Sequence, residues 1–260
     1  MTTLSVGDLA FGYGDDDILS GISLELERPE LVCLVGPNGV GKTTLVKCIN
    51  RLLKPRSGTV LLDGEDIRGM SLMDLARKMA FVPNTMSSVF RTSVAEAVLM
   101  GRFPFSQWVS TDADLDIVDR TLEEMDLQDL SDRDINEISS GQLQRVMIAR
   151  GLVQDPEILI LDEPTSNLDV RSQMEVMGFL RDYARIQGVI VLMVCHDLNI
   201  TATFADRIVM LSKEGVYADG DAWSVMTEEN ISHVYGVRSK VIEIEGRPHV
   251  ILLAGRPDEP

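Results

Sequence analysis

The sequence predicts an α/β chain with a phosphate-binding loop, on three observations. The apolar run Leu31 to Val35 ends in a glycine-rich turn, and Gly36 to Thr43 fit G-x-x-x-x-G-K-[ST]. A second apolar run, ILILDE at 158–163, ends in two carboxylates. A third, Val189 to Cys195, is followed at once by His196-Asp197. Open α/β sheets bind ligands beyond the carboxyl ends of their strands, so Glu163 and His196 stand at the same kind of edge.

The first of these runs carries the most specific chemistry. A buried strand delivers the chain to a loop whose glycines let backbone N–H groups converge on phosphate oxygens. The following helix points its partly positive N-terminus at the same anion. Lys42 would reach the outer phosphates, and the Thr43 hydroxyl would ligate magnesium. The alternative is an ordinary strand–turn–helix with a chance lysine, which the apolar strand in front argues against.

Composition narrows the class. A chain of 260 residues, 45% hydrophobic, can bury one large core or two small ones. Its 24 Lys+Arg against 41 Asp+Glu give a formal charge of −17, which argues against broad binding to nucleic acid or anionic lipid. Cys33, Cys48 and Cys195 are scattered, with no metal or disulfide spacing, so burial in a reducing compartment is expected. Residues 1–27 contain no Lys or Arg, so no signal peptide is expected to begin here. Val189 to Cys195, the longest clean apolar run, is far below the roughly 18 residues a membrane span needs. The expectation is a soluble, cytoplasmic protein.

In chain order, residues 3–35 read as β-rich, with partial alternation over Leu4 to Phe11 and clear alternation over Ile22 to Leu26. Tyr13, between two glycines, is placed either to stack on a base or to pack locally. Helical spacing runs from Thr43 to Leu53 and stops at Lys54-Pro55 and Gly58. Thr59 to Leu62 predict a strand closed by Asp63-Gly64. Ser71 with Asp74 caps a short helix reaching Lys78, and Ala80 to Val82 form a strand ending at Pro83-Asn84.

Composition shifts after Asn84. Residues 85–137 predict a helical insertion, with helix starts at Ser93/Glu96 and Thr111/Asp114 and the aromatic, turn-like GRFPFSQW between them. Ile117, Val118, Leu122 and Met125 share one face of the second helix. The stretch ISSGQLQRVMIARGLV is a polar cap before an amphipathic helix, and Ser139, Ser140 and Gly141 make a second potential anion site. In ILILDE, Asp162 could hold magnesium, directly or through water, and Glu163 could polarise an attacking water. Residues 170–187 predict a helix with Met174, Met177, Leu180 and Ala184 facing the core. A strand at Arg207 to Leu211, a turn around Lys213 to Gly215 and a helix from Thr227 to Val234 follow. The tail reads as a hairpin, Lys240 to Ile244 with His249 to Leu253.

Taken in order, Tyr13, GPNGVGKTT, the change at Asn84, ISSGQ, ILILDEP, SNLD and His196 resemble the nucleotide-binding subunit of ATP-binding cassette transporters across essentially the whole chain. In detail the chain is most similar to the ATPases of iron-chelate, haem and cobalamin importers. GRFPF after the Asn84 loop, CHDLNIT at 195–201, and VYGV at 234–237 before a small β extension carry that finer likeness.

The resemblance implies a P-loop NTPase core of cassette type with an antiparallel β subdomain and a helical subdomain, in a single domain. Core and β subdomain would occupy about 1–84 and 154–228, the helical subdomain about 85–153 and a C-terminal extension about 229–260. It implies that Tyr13 stacks on adenine, and that Gly36, Pro37, Asn38, Gly39, Val40, Gly41, Lys42, Thr43 and Thr44 wrap the phosphates of ATP. Thr43 and Asp162 would attend magnesium, Glu163 would be the catalytic carboxylate, and His196 would contact the γ-phosphate. Ser139, Ser140, Gly141 and Gln142 would complete the site of a second copy, two ATP molecules being held head-to-tail between two subunits. Asp169 would connect the two sites. The implied partners are that second copy, membrane-spanning permease subunits at the cytoplasmic face of the membrane and, indirectly, a substrate-binding protein, with no nucleic acid.

Two departures stand out. The family usually has Gln at the position of Asn84, where it ligates magnesium and senses the membrane partner; Asn is one methylene shorter, and a water-bridged contact is expected. The usual L-S-G-G-Q reads Ile138-Ser139-Ser140-Gly141-Gln142 here. Two other readings remain: a soluble superfamily member in DNA repair or translation, or a nucleotide-regulated binding protein without turnover. The first typically carries two cassettes or a long coiled coil, and the presence of Glu163 and His196 argues against the second. A small-molecule kinase would lack the pairing of ISSGQ with His196.

Overall fold

The computed structural model describes residues 2–14, 16–84, 91–106 and 110–254. Among these residues, two antiparallel strands open the chain, β1 (Leu4–Tyr13) and β2 (Asp16–Leu26), followed by β3 (Leu31–Val35) and helix α1 (Lys42–Ile49). Strands β4 (Ser57–Leu62) and β5 (Glu65–Asp66) join the first two in an antiparallel sheet ordered β2-β1-β4-β5. Helix α2 (Leu72–Lys78) leads to β6 (Met79–Val82). A helical block follows: α3 (Val94–Leu99), a 3-10 turn at Met100–Arg102, α4 (Phe103–Ser106), α5 (Asp112–Glu124) and α6 (Ser140–Leu152). The chain then alternates through β7 (Ile158–Asp162), α7 (Val170–Gln187), β8 (Ile190–Val194), α8 (Leu198–Phe204) and β9 (Arg207–Ser212). It ends with β10 (Gly215–Gly220), α9 (Ala222–Val225), α10 (Glu228–Tyr235) and the hairpin β11 (Arg238–Ile244) and β12 (Arg247–Leu253).

The central sheet is ordered β10-β9-β3-β8-β7-β6, parallel except for β10 at its edge. Its inner strands read as unbroken apolar runs because both faces are covered. On one face Leu31, Cys33, Leu159, Leu161, Val191 and Met193 pack with residues of the helical block and α7. On the other, Val32, Leu34, Ile160 and Leu192 pack with Leu45, Val46 and Ile49 of α1 and with the antiparallel sheet. All three cysteines are buried free thiols, and burial pushes the Cys33, Cys48 and Cys195 pKa values up. Among the described residues no helix is long and apolar enough to cross a membrane.

The helix starts lie where the local chemistry puts them. Ser93, Thr111 and Ser139 each form reciprocal capping boxes with the residue three positions on. Four local expectations change. The first helix stops at Ile49, short of Leu53, because Arg51 turns left-handed (φ 56°) and its guanidinium binds the carbonyls of Ile67 and Met70. The start of GRFPFSQW is helical, as the 3-10 turn and α4. On α7 the buried face is Val176, Met177, Leu180 and Ala184, whereas Met174 is largely exposed, one position off the stripe. Finally, the segment after Lys213 continues as β10, whose antiparallel pairing with β9 the turn residues alone did not reveal.

The 3-10 turn packs tightly on the end of α6 at Gly101, where a Cβ would fall inside the radius of the Arg150 carbonyl oxygen and 2.5 Å from Val153 Cγ2. Gly101→Ala should therefore lower stability by about 1–3 kcal/mol, read as a lower urea midpoint. A wild-type midpoint would mean that α6 yields without cost.

Candidate active site

Four loops meet at one edge because β3, β8, β7 and β6 are neighbours in that order and run parallel. Register sets their level: Leu34 pairs with Val194, Val194 with Asp162, and Leu161 with Val82. Gly36, His196, Glu163 and Asn84 thus leave the sheet within two residues of one line across it.

The phosphate loop runs from Gly36 through Pro37, Asn38, Gly39 and the buried Val40 to Gly41, which begins α1. Gly41 has φ 98° and offers no side chain to cap the helix, so the first N–H groups of α1 remain for an anion. Lys42 is only 5% exposed, and its Nζ donates to the carbonyls of Gly36 (2.7 Å) and Pro37 (3.0 Å). Burial lowers its pKa, with Glu163 and Asp162 opposing that shift. The loop is closed on its own lysine by contacts that phosphate oxygens could replace with charge-assisted ones.

Beneath it, Thr43 Oγ1 donates to Asp162 Oδ1 at 2.7 Å. Asp162 is buried, and burial raises its pKa despite that bond and the nearby Lys47 and His196. Among the described residues no three His, Cys, Asp or Glu side chains gather as a metal site. One hydroxyl and one buried carboxylate suit magnesium, which takes few protein ligands and completes its shell with water and phosphate oxygens. Thr43 and Asp162 could hold it.

Glu163 is engaged on both oxygens. His196 Nε2 lies 2.5 Å from Oε1, and Asn84 Nδ2 donates to Oε2 at 3.1 Å. Ser166 Oγ donates to Asn84 Oδ1 at 3.1 Å, leaving the amide's N–H end for the carboxylate. Glu163 adopts φ 54°, a left-handed conformation uncommon outside glycine. Asn84 therefore touches Glu163 and Ser166, while the Asp162 carboxylate is held by Thr43.

A cavity of about 220 Å³ is lined by Ile18, Asn38, Gly39, Gly41, Lys42, Thr43, Thr44, Glu163 and His196. Tyr13 stands 56% exposed, its ring edge-on to Phe11 at 4.9 Å. Ser139, Ser140, Gly141 and Gln142 line a different cavity, with Asn167 and Asp169. There Ser139 caps α6, and Asp169 caps α7 through the Ser172 N–H (2.9 Å), which with the Ser172 hydroxyl lowers its pKa. One chain thus brings together the phosphate loop, Asp162, Glu163, His196 and Asn84, and keeps the serine cap and Asp169 apart from them.

Ile18 was missed from sequence, and Ser166 and Asn167, though quoted in SNLD, were given no role. Ile18 sits in an alternating strand and Ser166 in a polar turn 82 residues from its partner, so neither carries a local signal.

Residues 19–166 match the profile of the family described as ABC transporter. The chain is 42% identical to an uncharacterized ABC transporter ATP-binding protein of Methanocaldococcus jannaschii, over 95% of this chain and 97% of that one. It is 36% identical to the iron(3+)-hydroxamate import ATP-binding protein FhuC of Bacillus subtilis, over 93% and 91%. Its fold superposes on an inward-facing structure of a candidate metal-chelate type ABC transporter with a TM-score of 0.84 at 26% identity, covering 97% of each chain.

The raised pKa of Asp162 has a consequence for stability. A carboxyl that holds its proton more tightly when folded makes the fold less stable as pH rises from the unfolded to the folded pKa. Asp162→Asn keeps an acceptor for Thr43 and removes the charge. Without nucleotide its thermal midpoint should exceed wild type at neutral pH, the gap closing below about pH 4. A lower midpoint at neutral pH would show that the carboxylate is not penalised by burial.

Proposed function

The chain belongs to the ABC transporter family, and from that we propose that it is the ATP-hydrolysing subunit of an importer for an iron-siderophore, haem or cobalamin-type metal chelate. The observation that carries the reading is one cavity lined by Lys42, Thr43, Glu163 and His196. Lys42 would exchange the Gly36 and Pro37 carbonyls for the outer phosphates. Magnesium, held by Thr43 and Asp162, would supply positive charge to the phosphate oxygens. Glu163 would take a proton from the attacking water, and His196 would hold that carboxylate and face the γ-phosphate. Phosphoryl transfer asks chiefly for such positioning and electrostatics. Tyr13 is exposed enough to stack on adenine.

ABC cassettes dimerise and work with permease subunits. Ser139, Ser140, Gly141, Gln142 and Asp169 line a cavity of their own, which supports a head-to-tail dimer in which they close a partner's site. The subunit would sit at the cytoplasmic face of the membrane, with a substrate-binding protein acting through the permease. The likeness to the hydroxamate importer subunit and to the metal-chelate structure supports the cargo class. In the free subunit Asn84 and His196 would hold Glu163 between them, and the amide of Asn84 would reach magnesium through water.

Glu163→Gln should keep ATP binding, lose hydrolysis by about 100-fold or more and trap the dimer. Phosphate release near the wild-type rate would remove Glu163 from catalysis. Lys42→Ala should fail earlier, in titration with a fluorescent ATP analogue, and unchanged affinity would overturn the phosphate-loop assignment. Mixing Lys42→Ala with Ser139→Arg chains should restore part of the turnover, because one composite site per heterodimer is then intact. No restoration, with the mixed dimer shown by sizing, would contradict the shared site.

A further inference from the structure

The segment 228–253 supplies no group to the cavity, yet it touches the loops on both of its sides. Asn199, in the first turn of α8, uses its amide as a neighbouring strand would: Nδ2 donates to Val250 O at 3.1 Å, and the Val250 N–H donates to Oδ1 at 2.7 Å. Val250 is buried, while Ile251, Leu252 and Leu253 after it are exposed. Asp197, next to His196, caps the same turn through the N–H groups of Asn199 (2.8 Å) and Ile200 (2.9 Å). His196 is therefore suspended between β8 and a helical turn clamped to β12.

Tyr235, the last residue of α10, reaches the other loop. Its hydroxyl is buried close to Gly36 and Cys195, and it has no hydrogen-bond partner among the described residues. Gly36 is the residue whose carbonyl holds Lys42, and a Cβ there would lie 2.5 Å from the Leu211 carbonyl oxygen. A buried hydroxyl without a partner is costly, and this one lies beside the turn whose carbonyl holds Lys42, so a small shift of that turn on nucleotide binding would let it gain a bond.

We propose that the C-terminal segment braces the site, Asn199 and Tyr235 acting as positioning residues for His196 and for the Gly36 turn. The inference rests on the ATPase reading, and two of its readouts do not need turnover. In the full-length protein, Asn199→Leu should lower kcat about tenfold or more with KM for ATP within about twofold, and should shift the ring signals of His196 in NMR spectra without nucleotide. The chain has three histidines, so those signals are assignable by replacing His233 and His249. Tyr235→Phe should leave the nucleotide-free thermal midpoint unchanged or higher, and reduce the upward shift that magnesium and ATP produce. A purely structural tyrosine would do the reverse. Unmoved His196 signals with kcat within about twofold of the parent, or an undiminished nucleotide shift in Tyr235→Phe, would overturn the brace. A parent chain without turnover would instead count against the ATPase reading, and the His196 signals and nucleotide shift would still decide the brace.

Discussion

The parallel register of β3, β8 and β7 is the constraint from which the site follows. Leu34, Val194 and Asp162 stand side by side, so the residues just beyond them enter one small volume from strands far apart in sequence. Because both sheet faces are buried, a slip of one residue would turn every apolar side chain of a strand to the opposite face. The cost of such a slip is paid in two cores at once, through Leu159 and Leu161 on one side and Ile158 and Ile160 on the other. Packing far from the chemistry thus holds Asp162 beneath Thr43 and Glu163 beside His196.

On that platform each charged group has found a local substitute for what a nucleotide would bring. Lys42 sits on two carbonyls, Asp162 on a hydroxyl, and Glu163 between an imidazole and an amide. The partners of Lys42 and Asp162 carry no formal charge, and burial shifts both groups toward their neutral forms. The charged side chains of the free site are each hydrogen-bonded, while the first N–H groups of α1 stay open. Binding of a magnesium nucleotide would relieve both shifts together, which couples the cation to the anion without a dedicated metal cage.

What could be read from sequence was what is local. The phosphate loop, the caps at Ser93, Thr111 and Ser139 and the apolar runs express their physics within a few residues. The parts that escaped depend on distant partners. Ser166 binds Asn84 across 82 residues, and Asn199 binds Val250 across 51. Met174 was placed in the core by a helical stripe whose other members, Met177, Leu180 and Ala184, are buried, with Val176 taking its place. The left-handed backbone at Glu163 is legible in no pattern, since it reflects the turn that swings the carboxylate toward His196. The expected site residues thus fall into two groups by the scale of the signal, and Asn84 belongs to the second, because its partners were invisible.

The division of the site between two cavities has its own internal support. The serine cap is at the start of α6 and Asp169 is at the start of α7, and Arg145 of α6 bonds Glu175 of α7 at 2.6 Å. Glu175 also accepts from Arg171 at 2.8 Å, which pulls its pKa down and keeps the carboxylate charged. An exposed pair of this kind adds little stability, but it ties the second turns of the two helices that carry the two caps. The Ser139 and Asp169 caps, which line one cavity, are thereby tied to each other. A surface whose parts are already tied together meets a ligand at a lower ordering cost than two independent helix ends. The same logic holds the phosphate loop of each chain ready on the opposite edge, so on the proposed dimer both halves of each composite site are formed before they meet.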